Sequence, residues 1–401
     1  MIKKFGFKNY FSFKEGVEIS FEYDGNTPKN VTQGGHIGTV LGIKGANGSG
    51  KTNILKAISF LFCFVTRRMI TTETNSADNS EEIKIPIEPF FFSTEITEFY
   101  IELELSGVIY YYELDISSSG IKREGFIRNK NEEGSKDVLF IERNNNEIIK
   151  CISEYSELKK IKLKGDQSII SLVSDFKFNH SMNDLIVFRD FFNSFIFNVG
   201  HNGLKKDMEE NIKYIRSSFY KKNPDALNFV KNIIMESDDG ISDIVIETIK
   251  NSSGDDVDFP AFIHEVNHNK FSLLYADESM GTKTLYNELF KYWLILKDGG
   301  VLIADEFDIH LHAMILPKII NLFTDLSINS KNSQLIVTAH NTEIIDDLGR
   351  YRTILVNKEN NESYCYRLDE IPLLRNDRDI SPFYKKGRIG GVPNFNNKNR
   401  Y

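Results

Sequence analysis

An α/β fold, with buried parallel strands feeding loops and helices, is what this sequence predicts, and three stretches predict it. Residues 45–52 read Gly-Ala-Asn-Gly-Ser-Gly-Lys-Thr. Gly299–Glu306 is an apolar run that ends in two carboxylates, Asp305 and Glu306. Leu335–Thr338 is a second short apolar run, followed by Ala339, His340 and Asn341. Each has the form of a buried strand that delivers polar residues to one end of a sheet.

The first stretch matches the phosphate-loop pattern G-x-x-x-x-G-K-[ST] at every fixed position. Thr39–Ile43 supplies the strand before it, and Ile54, Leu55, Ile58, Leu61, Phe62 and Val65 recur at helical spacing after it. The glycines let consecutive N–H groups, across Asn47, Gly48, Ser49 and Gly50, point at phosphate oxygens. Lys51 reaches the outer phosphates, Thr52 holds Mg²⁺, and the helix adds its positive dipole end. The ligand class is a nucleoside triphosphate with magnesium.

The second stretch supplies the chemistry. Asp305 at the strand end holds the Mg²⁺ shell, and Glu306 polarises the attacking water. Upstream, Glu278-Ser279-Met280-Gly281-Thr282-Lys283 opens a helix whose Leu285, Leu289, Trp293 and Leu296 share one face. Ser279 and Gly281 there offer a hydroxyl and free amides to an anion. In the third stretch His340 reaches toward a γ-phosphate. A helix cap or a loop histidine alone is commonplace; the order of the four motifs carries the reading.

With these residues the chain resembles the ABC-type ATPase heads related to chromosome-maintenance and RecF-like proteins, and more closely the bacterial AAA15 or OLD-like ATPases. Phe5–Phe13 is similar to that family's first strand and aromatic turn, and Glu278–Lys283 to its signature, which usually has Asp where Met280 stands. Asp305–His312 resembles its Walker B and D-loop, Gln334–Asn341 its switch-histidine strand, and Lys386–Pro393 its C-terminal Gly-Arg ending, with Ile389 in an aromatic's place. The resemblance implies a mixed sheet with flanking helices, an antiparallel β subdomain and an inserted helical arm. It implies that two subunits sandwich ATP and Mg²⁺. Lys51, Thr52 and Asp305 of one subunit would face Ser279 and Gly281 of the other, with Asp308 at the seam and Glu306 and His340 catalytic. The family's Mg²⁺-sensing glutamine has no counterpart between Lys51 and Gln167; Ile85–Phe90 sits near that place, so Glu88 substitutes or the role is empty.

Bulk properties fit this reading. The chain has 401 residues, 41% of them apolar, enough for two or three domains. A net charge of −8 gives no general attraction to nucleic acid. Cys63, Cys151 and Cys365 have neither metal nor disulfide spacing, as expected in a reducing cytosol. The N-terminus lacks a signal-peptide apolar core, and no apolar run is long enough to span a bilayer, so a cytoplasmic protein is expected.

Along the chain, residues 1–130 and 269–401 read as the two parts of the ATPase head, and 131–268 as a mainly helical insertion. Ile101–Leu105 and Val108–Ile116 form a hairpin around Ser106-Gly107. Thr71–Glu82 and Asn129–Lys136 read as loops, Ala226–Met235 as a helix, Thr353–Val356 and Ser363–Leu368 as closing strands, and Asn394–Tyr401 as a loose tail. Lys159, Lys160, Lys162 and Lys164 read as a solvated face, with phosphate contact the alternative. His264-Glu265-Val266-Asn267-His268 fits H-E-x-x-H, but Pro260 before it and the apolar run Phe271–Tyr275 after it favour a hairpin over a zinc-binding helix.

The functional expectation is an ATP-dependent switch that dimerises and controls a separate effector, a nuclease or toxin, in bacterial anti-phage defence. The chain ends before a TOPRIM nuclease domain would begin. The alternatives are a RecF-like ATPase acting directly on DNA, and an enzyme with its own catalytic insertion.

Overall fold

A computed structural model describes residues 1–68, 72–74, 82–130, 138–204, 212–250, 253–372, 374 and 378–393. Two large sheets enclose one helix. The first sheet is antiparallel, in spatial order Glu147–Cys151, Val138–Asn144, Gly120–Lys130, Val108–Ser117, Thr97–Leu105, Ile2–Lys8 and Val17–Ser20. The second runs Phe195–Phe197, Val301–Ala304, Gln334–Thr338, Val40–Gly45, Thr353–Glu359 and Glu362–Arg367. Its first five strands are parallel, and the last is antiparallel to its neighbour.

The parallel strands are apolar on both faces, and the period of two sorts them into two cores. Leu41, Ile43, Val301, Ile303 and Ile336 join the core shared with the antiparallel sheet. Val40, Leu302, Leu335 and Val337 join a second core with the helices Met280–Asp298 and Leu316–Thr324. The helix Lys51–Val65 lies in the first core, buried almost all round, which explains why its sequence is apolar on more than one face. A third, smaller core gathers Leu355, Leu368, Ile380, Tyr384 and Ile389 at the C-terminal end. The expected α/β architecture, a mixed sheet with flanking helices and an antiparallel β subdomain, is present.

The stretch 131–268 requires a correction. Val138–Asn144 and Glu147–Cys151 complete the antiparallel sheet, and Phe195–Phe197 is the edge strand of the parallel sheet. Ile169–Leu172 and Asn183–Asn193 are helices that pack into the first core. The head therefore continues to about residue 204. What remains is a pair of helices, Ile212–Lys222 and Pro224–Ser237, and a three-stranded sheet, Ile241–Lys250, Asp256–Val266 and Asn269–Leu274, against the signature helix. Among the described residues of this stretch strands are as prominent as α-helices, because Val138–Cys151 and Ile241–Val266 form hairpins and Phe195–Phe197 pairs with a distant strand, an outcome that helical spacing alone does not encode.

The Ser106-Gly107 hairpin, the Pro224–Ser237 helix and the closing strands lie where expected. His264 sits on Asp256–Val266, and Asn267 and His268 form its turn to Asn269–Leu274, both at positive φ. No helix carries H-E-x-x-H; His264 Nε2 instead pairs with Glu278 Oε1 at 2.8 Å. Lys159, Lys160, Lys162 and Lys164 are exposed, while Tyr155 and Leu158 before them and Leu163 among them are buried. Thr72–Thr74 and Glu82–Lys84 pair as a short ladder. The rest of the Thr71–Glu82 run, most of Asn129–Lys136 and the tail Asn394–Tyr401 lie outside the described residues. Among the described residues no helix is long and apolar enough to cross a membrane.

Candidate nucleotide-binding site

The phosphate loop leaves the carboxyl end of Val40–Gly45 and enters Lys51–Val65 without a side-chain cap, so the first amides of that helix keep their donors free for an anion. Gly50 takes φ 112°, and a Cβ there would meet the hydroxyls of Ser363 and Ser12 at 2.8 and 2.9 Å. At Gly45 a Cβ would meet Val356 O at 2.4 Å. The glycines are thus demanded by backbone shape and by close approach. Ser363 Oγ donates to Ser49 O at 2.6 Å and ties the loop to the edge of the sheet.

Lys51 is buried, and its Nζ donates to Gly45 O at 2.8 Å and Ala46 O at 3.1 Å. Burial lowers its pKa, while Asp305, Glu306 and Asp308 pull the other way. Thr52 Oγ1 donates to Asp305 Oδ2 at 2.8 Å, and Thr338 Oγ1 donates to Asp305 Oδ1. A hydroxyl and a carboxylate at this separation are the hard oxygen donors that Mg²⁺ takes. With the open helix N-terminus and the glycine cradle, these residues fit a magnesium-bound nucleotide.

Glu306 follows at φ 52°, a left-handed conformation that costs a non-glycine residue energy and turns its carboxylate away from the strand. Its amide is held by Thr338 Oγ1 at 2.8 Å. His340 Nε2 stands 3.4 Å from Glu306 Oε1. Asp308 Oδ2 accepts from the amides of His340 and Asn341 at 2.8 and 2.6 Å, while its shielded Oδ1 has no partner among the described residues. Lys51, Thr52, Asp305, Glu306, Asp308 and His340 are therefore gathered into one site.

Ser279 and Gly281 stand elsewhere. Ser279 caps the Met280–Asp298 helix, accepting from Thr282 N at 3.1 Å. Gly281 abuts the D-loop, where a Cβ would lie 3.0 Å from His310 O. Among the described residues no hydrogen bond joins either residue to the phosphate loop.

Two site residues escape a reading of motifs. Asn198, at the end of the edge strand, donates from Nδ2 to Asp305 O at 2.9 Å and accepts from Asp305 N at 2.7 Å. It follows the strand Phe195–Phe197 and clamps the Asp305 backbone. The Glu88 carboxylate is half exposed, and its nearest ionic partner is His201 at 3.8 Å. Lys44, fully buried in the phosphate-loop strand, donates to Ala339 O at 2.7 Å and Asn341 O at 2.8 Å, on either side of His340. Burial pushes its pKa down to about 8. A lysine inside an apolar strand was the available signal for it.

A family profile described as "AAA domain, putative AbiEii toxin, Type IV TA system" matches residues 40–346. The chain belongs to this family. All the site residues named above, from Lys44 to Asn341, fall inside the matched span, and the chain carries an AAA-type ATPase domain. Among solved structures it is similar to the SmcHead bound to the C-winged helix domain of ScpA, at 16% identity over 92% of this chain and 99% of that chain, with a TM-score of 0.45. No curated protein matches the AAA-domain chain.

Proposed function

We propose that this AAA-family protein hydrolyses ATP with Mg²⁺, that two copies close around the nucleotide, and that the closed dimer controls a separate effector. The Thr52–Asp305 pair beneath an outward-turned Glu306 carries the reading. Lys51 and the amides from Asn47 to Thr52 bind the phosphates; Thr52 and Asp305 hold the metal. Glu306 takes the proton of the attacking water, and His340 orients the terminal phosphate. Positioning and charge stabilisation suffice for phosphoryl transfer, so no further nucleophile is required.

The dimer follows from the site's incompleteness. Gly281 abuts the D-loop and Ser279 caps its own helix, with no hydrogen bond from either to the phosphate loop among the described residues, and among those residues the Asp308 Oδ1 atom has no partner. Met280, Ile309 and Met314 around them are exposed at 57, 38 and 72%. An apolar rim beside unpaired polar groups suits a surface that a second copy covers, its Ser279, Gly281 and Asp308 closing over the nucleotide. The family description, with its Type IV toxin–antitoxin system, supports a nuclease or toxin as the effector and bacterial anti-phage defence as the setting. Three free cysteines suit the cytoplasm. The exposed lysines at 159–164 favour a second reading, direct action on DNA.

Turnover of the purified chain with the candidate effector, compared with turnover with DNA over a salt series, tests the two. Stimulation by the effector alone supports the switch. Stimulation by DNA that fades steeply with salt replaces it with the DNA reading.

A further inference from the structure

The phosphate-loop helix has a second working face. Lys56, Ser59, Phe60 and Cys63, spaced at helical intervals, look into a cavity of about 1060 Å³ whose far wall is Ile85–Pro89 and the turn Phe197–Leu204. The cavity is large enough for a small ligand. Its ionisable lining is two cations, Lys56 and Arg68, one carboxylate, Glu88, and His201, whose pKa burial lowers so that the imidazole is neutral at pH 7. The Lys56 ammonium lies over the Phe11 ring, 4.1 Å from its centre, and among the described residues no carboxylate is within ion-pair distance of it. Ser59 is only 3% exposed, lies on the cavity wall, and among the described residues its hydroxyl has no hydrogen-bond partner. A buried, unsatisfied hydroxyl beside an unpaired ammonium costs stability unless something binds there. Pro86, Pro89 and Phe197 supply apolar wall, while the Phe60 ring is stacked on Phe64 and Phe99.

We propose that this cavity binds a small, flat-ringed anion of mononucleotide size, at a site separate from the phosphate loop. The anionic group pairs with Lys56 and accepts a hydrogen bond from the His201 imidazole, the ring lies on the apolar wall of Pro86, Pro89 and Phe197, and Ser59 donates a hydrogen bond. The cavity borders the metal site on two sides. Lys56 follows Thr52 by about one helical turn, and His201 follows Asn198, which clamps the Asp305 backbone. Occupancy therefore changes ATP turnover through the elements that position Thr52 and Asp305.

The probe is anilinonaphthalene sulfonate, a flat-ringed anion, titrated by fluorescence into the Lys51→Ala chain, with AMP as competitor. Disabling the phosphate loop removes the other nucleotide site from the readout. The proposal expects one saturable site per chain, displaced by AMP. Adding Lys56→Gln should weaken it about tenfold, the value of one charge-assisted contact, and adding Ser59→Phe should remove it by filling the space. The Lys56→Gln arm stands even where Ser59→Phe folds poorly. Absence of saturable binding, or unchanged affinity in the Lys56→Gln variant, overturns the proposal. So does loss of the signal on Phe91→Ser, which would place the dye on the exposed ring of Phe91 outside the cavity.

Discussion

Asp305 is held at every polar atom: Thr52 and Thr338 donate to its two carboxylate oxygens, and Asn198 engages its amide and carbonyl. The carboxylates and the phosphate-loop residues were legible in the sequence because each sits in a contiguous motif of fixed spacing. Asn198 was not, because its role comes from a parallel pairing with a strand more than a hundred residues away, and chain position alone offers only Glu88 or an empty role. Removing the Asn198 side chain forfeits two hydrogen bonds to one backbone unit, so Asn198→Ala should turn over about tenfold more slowly and need more Mg²⁺; kinetics across a magnesium series read both. Lys51→Ala should weaken ATP binding by about a hundredfold, measured by calorimetry, since it removes a cation from the outer phosphates. Lys44 predicts a pH dependence. Its folded pKa of about 8 lies below the ordinary 10.5, so between those values the unfolded chain holds a proton that the folded chain has released. Stability from this group therefore rises with pH across that window, and its burial penalty is fully present below pH 8. Thermal unfolding at increasing pH should show that slope in the parent and lose it in Lys44→Met.

At the scale of elements, helical spacing and strand alternation located the phosphate-loop helix, the signature helix, the Ser106-Gly107 hairpin and the closing strands, because each is declared by its own residues. Membership of a sheet is a relation between distant segments. That is why Val138–Cys151 and Phe195–Phe197 looked like parts of an insertion. Backbone ladders attach both to the head, and a buried Arg143 on Val138–Asn144 adds a side-chain network. It donates to Asn145 O at 2.7 Å, Gln167 O at 2.7 Å, Lys164 O at 2.9 Å and Glu124 Oε2 at 3.4 Å, and so pins the segment leading to Ile169–Leu172 against the antiparallel sheet. Arg143→Ala leaves Glu124 and three carbonyls uncompensated in the interior, and should cost about 3–5 kcal/mol, as read by denaturant unfolding. An unchanged midpoint would mean that this network adds nothing to the attachment.

At the scale of the whole molecule, the phosphate loop and Walker B strand meet at one end of the parallel sheet, while Ser279 and Gly281 lie against the D-loop beside exposed Met280, Ile309 and Met314. The family match adds an AAA ATPase domain to that geometry. The central claim is that a second copy completes the site. Glu306→Gln keeps the side chain's size but removes its negative charge and with it the base, so its turnover should fall about a hundredfold or more while ATP stays bound. Sedimentation of Glu306→Gln with Mg²⁺ and ATP is the most direct measurement. The account predicts a dimer with nucleotide, a monomer without it, and a monomer in both conditions once Ser279→Arg is added. A Glu306→Gln chain that sediments as a monomer while saturated with ATP contradicts it.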